Sequence, residues 1–325
     1  MALANTLALV FLVVSGARLA GGQDSGRVPP QSIVKQIAAA PLWEHVELAK
    51  AALRQYPDYP PLLLLLGNAQ LFEGEFSQAQ VTLDRCLALV PDTMPKLKGA
   101  CACRRVAVDY SRGEVKKASE AALELLQHGQ LWFEDRFHTR LLVANSLLFT
   151  GKLREVEEHL RILEGMGESA DEAARGKVLA LRLQLLMVQK RYAEAVSLLP
   201  RLLQSPDRNV WAVGILAHLF LDLPEDLQPF LQEVPLKEVP GYHRHALKAL
   251  LLALQNKPHE AELNVQLVRF PRYSSGYLVG AWVARRQGKA QWEHYLLEAA
   301  RQQTIGIWAH PPWWEGGVSE GQTEP

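Results

Sequence analysis

The chain has 325 residues, 48% of them apolar and 22% charged, a balance that supports a packed core and excludes a disordered polymer. Lys plus Arg equals Asp plus Glu at 35 each, so no net field draws the protein to nucleic acid or to an anionic membrane. A length of this order implies two domains or one elongated repeat array.

The first segment, residues 1–22, has no charged side chain between positions 2 and 17 and an apolar run from Leu7 to Val14. Small residues follow at Ser15, Gly16, Ala17, Ala20, Gly21 and Gly22. An apolar core this short before small residues reads as a secretory signal, since a spanning helix needs about 20 apolar residues. The pattern departs from a usual signal in having no Lys or Arg before the run; the first is Arg18. The expectation is export, with an uncleaved membrane anchor or an apolar cap helix as the alternatives. Residues 23–41 then read as a flexible entry and a first helix.

From residue 42 onward, apolar residues recur three and four apart, as in Leu83, Cys86, Leu87 and Val90, and no strict alternation persists. Turn signals divide the resulting amphipathic helices into pairs near 31–56, 60–90, 95–128, 132–164, 171–204, 207–234, 241–269 and 273–303. Within the pairs one pattern returns: Gly, any residue, a bulky apolar residue, two residues, then a small or apolar one. It stands at Gly74 to Ala79, Gly113 to Ala118 and Gly151 to Val156, continues from Lys190 to Ala195, and weakens from Asn256 to Ala261 and at Gly288. The steps between these anchors are 39, 38, 39, 66 and 32 residues. The step of 66 fits two units, one of them degenerate, around "NVWAVGILAHLFLDLPEDLQPFL". A period in this range marks a helical solenoid.

The stretch Leu63, Leu66-Gly67, Gln70, then Ala79, Leu83 and Pro91 resembles the tetratricopeptide repeat, whose pattern places Leu-Gly, Ala and Pro at such spacings. The resemblance implies that Gly67 and Ala79 let paired helices approach, that Leu83 fills the gap, and that Pro91 ends the unit. It covers most of residues 42–303. The middle steps exceed the usual 34 residues of that family, and related solenoids with longer repeats share the period. The expected fold is all-α, a solenoid of about eight antiparallel helix pairs forming a right-handed superhelix. Its parts are repeats over 42–206, a degenerate repeat over 207–240, repeats over 241–303 and an irregular tail over 304–325. Pro224, Pro229, Pro235 and Pro240 point to a bend or a subdomain break in the degenerate part.

The chemistry-bearing residues are few. Cys101-Ala-Cys103 lies near Lys96, Lys98, Arg104 and Arg105, which would lower a thiol pKa. Two places apart on a helix, however, the thiols point in different directions, and small-residue packing is the favoured reading. In an exported chain the odd count of three cysteines leaves at least one free thiol or an intermolecular bond, and Cys86 meeting Cys101 would bridge successive repeats. His243 and His245 have no further ligand at metal spacing. No phosphate loop, nucleophile elbow or dinucleotide fingerprint occurs. No cofactor is expected.

The resemblance implies a non-enzymatic scaffold whose first helices line a concave surface that holds a protein or peptide. The inward-facing candidates are Leu64, Asn68 and Phe72, then Leu141 and Asn145, then Gln184 beside Ala180. A recurring Asn or Gln there suits hydrogen bonding to a peptide backbone; packing between helices is the competing role. Heat-shock-binding members of the family use lysines to clamp a terminal carboxylate. The matching places here hold Leu64, Leu141 and Ala180, so that activity is not expected. A rival reading puts an enzymatic site at 207–245, with His218, Asp222, His243 and His245. The tail carries Trp308, Trp313 and Trp314 around Pro311 and Pro312, as an end cap or a docking motif.

Overall fold

The computed structural model describes residues 30–168, 171–223, 227, 239, 241–266, 274–290 and 294–295. Among them every regular element is helical. The order is α1 (Pro30–Ala39), a 3-10 turn (Leu42–Glu44), α2 (His45–Gln55), α3 (Pro60–Glu73), α4 (Phe76–Leu89), α5 (Pro95–Ser111), α6 (Val115–His128), α7 (Phe133–Phe149) and α8 (Leu153–Glu168). There follow α9 (Glu172–Val188), α10 (Tyr192–Leu203), α11 (Arg208–Phe220), α12 (Gly241–Leu254), α13 (Pro258–Gln266) and α14 (Ser274–Arg286). The all-α repeat fold expected from the periodicity is what forms. The entry before residue 30, the bend near Pro224–Pro240 and the tryptophan tail lie outside the described residues.

The repeat is written in the backbone at the turn inside each pair. Gly74, Gly113, Gly151, Lys190, Asp222, Asn256 and Gly288 all have φ between 58° and 84°. Each left-handed residue donates its N–H to the carbonyl three back, and the next residue donates to the carbonyl five before itself. Gly74 N to Leu71 O at 3.1 Å and Glu75 N to Gln70 O at 2.8 Å show the pattern, and Asp222 N to Leu219 O at 3.1 Å and Leu223 N to His218 O at 2.8 Å repeat it. These paired bonds satisfy carbonyls that the helix end leaves without partners.

Asp222 divides the long 66-residue step. It lies 32 residues after Lys190 and 34 before Asn256, so the degenerate part holds one further turn in register. The sequence pattern missed it because Asp occupies the turn and Pro224 stands two places on, where the pattern has a bulky apolar residue; the fifth place is Leu227. Leu227 is nevertheless fully buried, as are Ala79, Ala118, Val156, Ala195 and Ala261 at the same distance from their own turns.

The chain forms two compact units, residues 1–178 and 179–325, and the division falls inside α9. In the first unit α3 packs on α4 and α5, and α5 packs on α6 and α7, so first helices adjoin first helices. Proline opens both α3 and α5, where a missing N–H is harmless. Gly67 on α3 meets Leu83 on α4, and both Leu83 and Ala79 have no exposed surface. Gln70, 3% exposed, ties the pair by accepting a hydrogen bond from the Thr82 hydroxyl at 2.8 Å. Arg105 of α5 pairs with Asp84 of α4 at 2.8 Å across the repeat boundary. In the second unit a single apolar core gathers Trp211, Ile215, Leu219, Leu227, Leu250 and Trp282.

Candidate partner-binding face

Leu64, Asn68 and Phe72 share one face of α3, at i, i+4 and i+8, and Leu141 and Asn145 share one face of α7. Between these helices α5 carries Cys103 and Ala107 at the matching distances from its turn. Leu64 is buried, whereas Asn68, Phe72, Leu141 and Asn145 are half-buried. Asn145 donates from Nδ2 to the Leu141 carbonyl at 2.9 Å, a bond within its own turn of helix that leaves the amide oxygen facing away from that bond. Gln184, in the second unit, does the same to Ala180 at 3.3 Å.

The recurrence of the amide is confined to Asn68, Asn145 and Gln184. Six places before the later turns stand Leu216, Leu250 and Trp282, each buried to 3% exposure or less. Those helices therefore use the same position for core packing.

Cys86 and Cys101 are joined by a disulfide, their Cα atoms 6.4 Å apart, linking α4 to α5. Cys103 is the free thiol. The neighbouring cations do not activate it: burial pushes it up to about 11, and Arg104 is a lesser influence. Its Sγ lies 3.0 Å from Thr139 Oγ1, and that hydroxyl donates to the Asp135 carbonyl at 2.6 Å. Lys98 pairs with Asp92, and Arg105 with Asp84 and Asp109.

Sequence reasoning missed a polar cluster on the first helices of this unit. Asp135, wholly buried at the start of α7, faces Arg104 of α5 with 3.3 Å between Oδ1 and Nη2. Neither Asp135 oxygen has a hydrogen bond, and burial raises its carboxyl pKa against the pull of Arg104. Lys177 of α9 places Nζ 3.1 Å from Nε2 of His138. The ammonium can only donate, so Nε2 accepts and the ring proton sits on Nδ1, a buried atom without a hydrogen-bond partner. Desolvation first, then Lys177 and Arg104, hold the His138 pKa well below 6.5. A cavity of about 30 Å³ opens among Cys103, Arg104, Ala107, His138, Thr139 and Leu142. One sequence signal was available: His138 and Lys177 each stand 13 places before a left-handed turn, in successive repeats.

In the 207–245 stretch, His218 Nδ1 meets the Gly214 carbonyl at 2.8 Å, and Asp222 pairs with Arg285 at 3.1 Å. Both are engaged with separate partners in the fold. The side chain of His243 lies outside the described residues. Among the described residues no three His, Cys, Asp or Glu side chains gather as metal ligands, and no helix is long and apolar enough to cross a membrane.

A family model described as "Tetratricopeptide repeat" matches residues 35–102, the span from α1 into α5. No curated protein matches the chain. Among solved structures, a chain described as "Crystal structure of APC/C hetero-tetramer Cut9-Hcn1" is similar over 92% of this chain and 69% of its own. The two are 13% identical with a TM-score of 0.39.

Proposed function

We propose that this tetratricopeptide-like helical repeat protein is a non-enzymatic scaffold, exported from the cell, that holds an extended peptide or protein segment on the first-helix face of its first unit. The repeat family generally serves as a protein-binding scaffold. The observation that carries the peptide reading is the row α3, α5, α7, with half-buried Asn68 and Asn145 at matching places and a small residue, Ala107, between them. Half-burial keeps an amide solvated while the face is empty, and an extended backbone would exchange that water for a peptide N–H or C=O.

Export is supported by the apolar run Leu7–Val14 and by the Cys86–Cys101 bond, since disulfides persist in oxidising compartments. The partner-binding test is capture by the Asn68→Ala/Asn145→Ala protein, scored per folded molecule. Weaker capture with an unchanged unfolding midpoint supports the face; constant capture with a lower midpoint makes both residues packing elements. The mature N-terminal residue tests export: Met1 would favour a membrane-tethered platform, and a residue near Gly21 a released one.

A further inference from the structure

We propose that Arg136, Arg140 and His159 form a binding site for a doubly charged oxyanion, a sulfate or phosphate group, on the α7–α8 pair. The site stands whether or not the first-helix face holds a peptide. Four arginines of the first unit are half-buried: Arg104, Arg105, Arg112 and Arg140. The first three each face a carboxylate, Arg104 that of Asp135 at 3.3 Å, Arg105 that of Asp84 at 2.8 Å and Arg112 that of Glu114 at 3.6 Å. Arg140 faces none among the described residues. Its Nη1 meets His159 Nδ1 at 3.4 Å, and its Nε is sealed from solvent without an acceptor. Taking a cation partly out of water with no counter-charge is costly, so the position suits an anion brought from outside.

The neighbours of Arg140 select the ligand. Arg136 stands four residues earlier on α7, exposed, with no hydrogen bond or ion pair among the described residues. Residues four apart share a helix face, so the two guanidiniums are neighbours. Desolvation first, then Arg136, lower the Arg140 pKa. His159 of α8 adds a neutral donor. The guanidinium can only donate, so Nδ1 accepts and the ring proton sits on Nε2, which has no partner among the described residues. The acids of α8 leave the cations uncompensated: Glu155 pairs with Lys152 at 3.5 Å, and Glu158 is exposed and makes no ion pair with Arg136 or Arg140. Burial and then Arg140 lower the His159 pKa, outweighing Glu158 and Glu155. Two guanidiniums without a counter-ion call for two negative charges, and each planar fork matches a pair of sulfate or phosphate oxygens. A carboxylate brings one charge and leaves one guanidinium unpaired.

The test is NMR of the His159 ring C–H signal in the full chain, assigned by its loss in His159→Gln. Sodium sulfate is titrated against sodium chloride at equal ionic strength. Sulfate should raise the His159 titration midpoint by about one pH unit and saturate, since an anion beside a histidine favours its charged form. Chloride should leave the midpoint in place. Arg136→Met should weaken sulfate binding roughly tenfold, the loss of one charge-assisted contact, and Arg140→Met should abolish it. Circular dichroism checks that each variant folds, and Arg136 is exposed, so its truncation leaves the packing intact. An equal response to chloride would mean that salt only screens Arg140, and would overturn the proposal. Native-like sulfate binding by Arg136→Met would overturn it too, as would acetate binding as tight as that of sulfate. Inorganic phosphate and an end-blocked alanyl-phosphoseryl-alanine then separate the sources. Tighter binding of the tripeptide assigns the group to an ester on a partner, tighter binding of inorganic phosphate assigns it to a free ion, and binding of neither removes phosphate from the site.

Discussion

A Cβ placed on Gly67 would stand 2.6 Å from Leu83 Cγ and 2.7 Å from Leu83 Cδ2. The α3–α4 pair therefore closes on a hydrogen atom, and Leu83, fully buried, has no room to retreat.

Gly67→Ala should accordingly destabilise the protein by about 1–3 kcal/mol through overpacking. Gly165 is also helical, on α8, but exposed, with open space around its Cβ position. There Ala should gain up to about 1 kcal/mol from helix propensity. Urea midpoints that move in opposite directions verify the packing; two shifts of the same sign would refute it.

The left-handed turns give a second contrast. Lys190 holds φ at 59° with a Cβ present, whereas Gly151 holds 73° without one. Lys190→Gly should stabilise by roughly 0.5–1 kcal/mol, less than the strain relieved because glycine enlarges the unfolded ensemble. Gly151→Ala should cost about 1–2 kcal/mol although nothing lies within 4 Å of its Cβ, since the penalty is backbone strain alone. Thermal midpoints of the two single variants decide it.

The turns also explain what was legible in the sequence. Gly74, Gly113 and Gly151 advertise the left-handed conformation by composition, and the helices beside them show a 3.6-residue period. Asp222 adopts the same conformation without advertising it, because Asp is one of the few other residues that tolerate it. The Arg104–Asp135–His138–Lys177 cluster was not legible as a unit. Its members lie on α5, α7 and α9, and only the stacking of first helices brings them together. Asn68 and Asn145 were placed on α3 and α7 by periodicity, but the change to Leu216, Leu250 and Trp282 in the second unit depends on how tightly those helices pack.

His138 sets a pH dependence with a definite sign. Its pKa in the fold lies well below 6.5, chiefly from desolvation and then from Lys177 and Arg104. Between that value and 6.5 the unfolded chain binds the proton and the folded one does not. Stability is thus complete above pH 6.5 and falls as pH drops through 6.5, with a slope from this one group of at most about 1.4 kcal/mol per pH unit. His45 and His159, also lowered first by burial, add in the same direction. Asp135 acts oppositely and at lower pH: its pKa is raised above 3.8, so the folded state takes its proton first. Urea unfolding of native and His138→Gln protein at pH 7.5, 6.5 and 5.5 should show a shallower decline in the variant. An identical decline would mean that His138 is charged in the fold.

The Cys86–Cys101 bond closes a loop with a sequence separation of 15 between α4 and α5. In the chain-entropy account, closing about 15 residues restricts the unfolded chain by about 3 kcal/mol. Reduction should therefore lower the thermal midpoint of the native protein and leave that of Cys86→Ala/Cys101→Ala unchanged. Cys103 does not confuse the measurement, because burial pushes its thiol up to about 11 and keeps it protonated and inert at neutral pH. Both bridge residues have no exposed surface, so reductant gains entry only when α4 and α5 part. Loss of the bond should then track unfolding, being slow in buffer and fast in moderate urea. Alkylation of reduced and unreduced protein, followed by intact mass, counts the thiols directly. One alkylated cysteine in the unfolded, unreduced protein is the expected result. Three would place the chain in a reducing compartment and remove the disulfide as support for export.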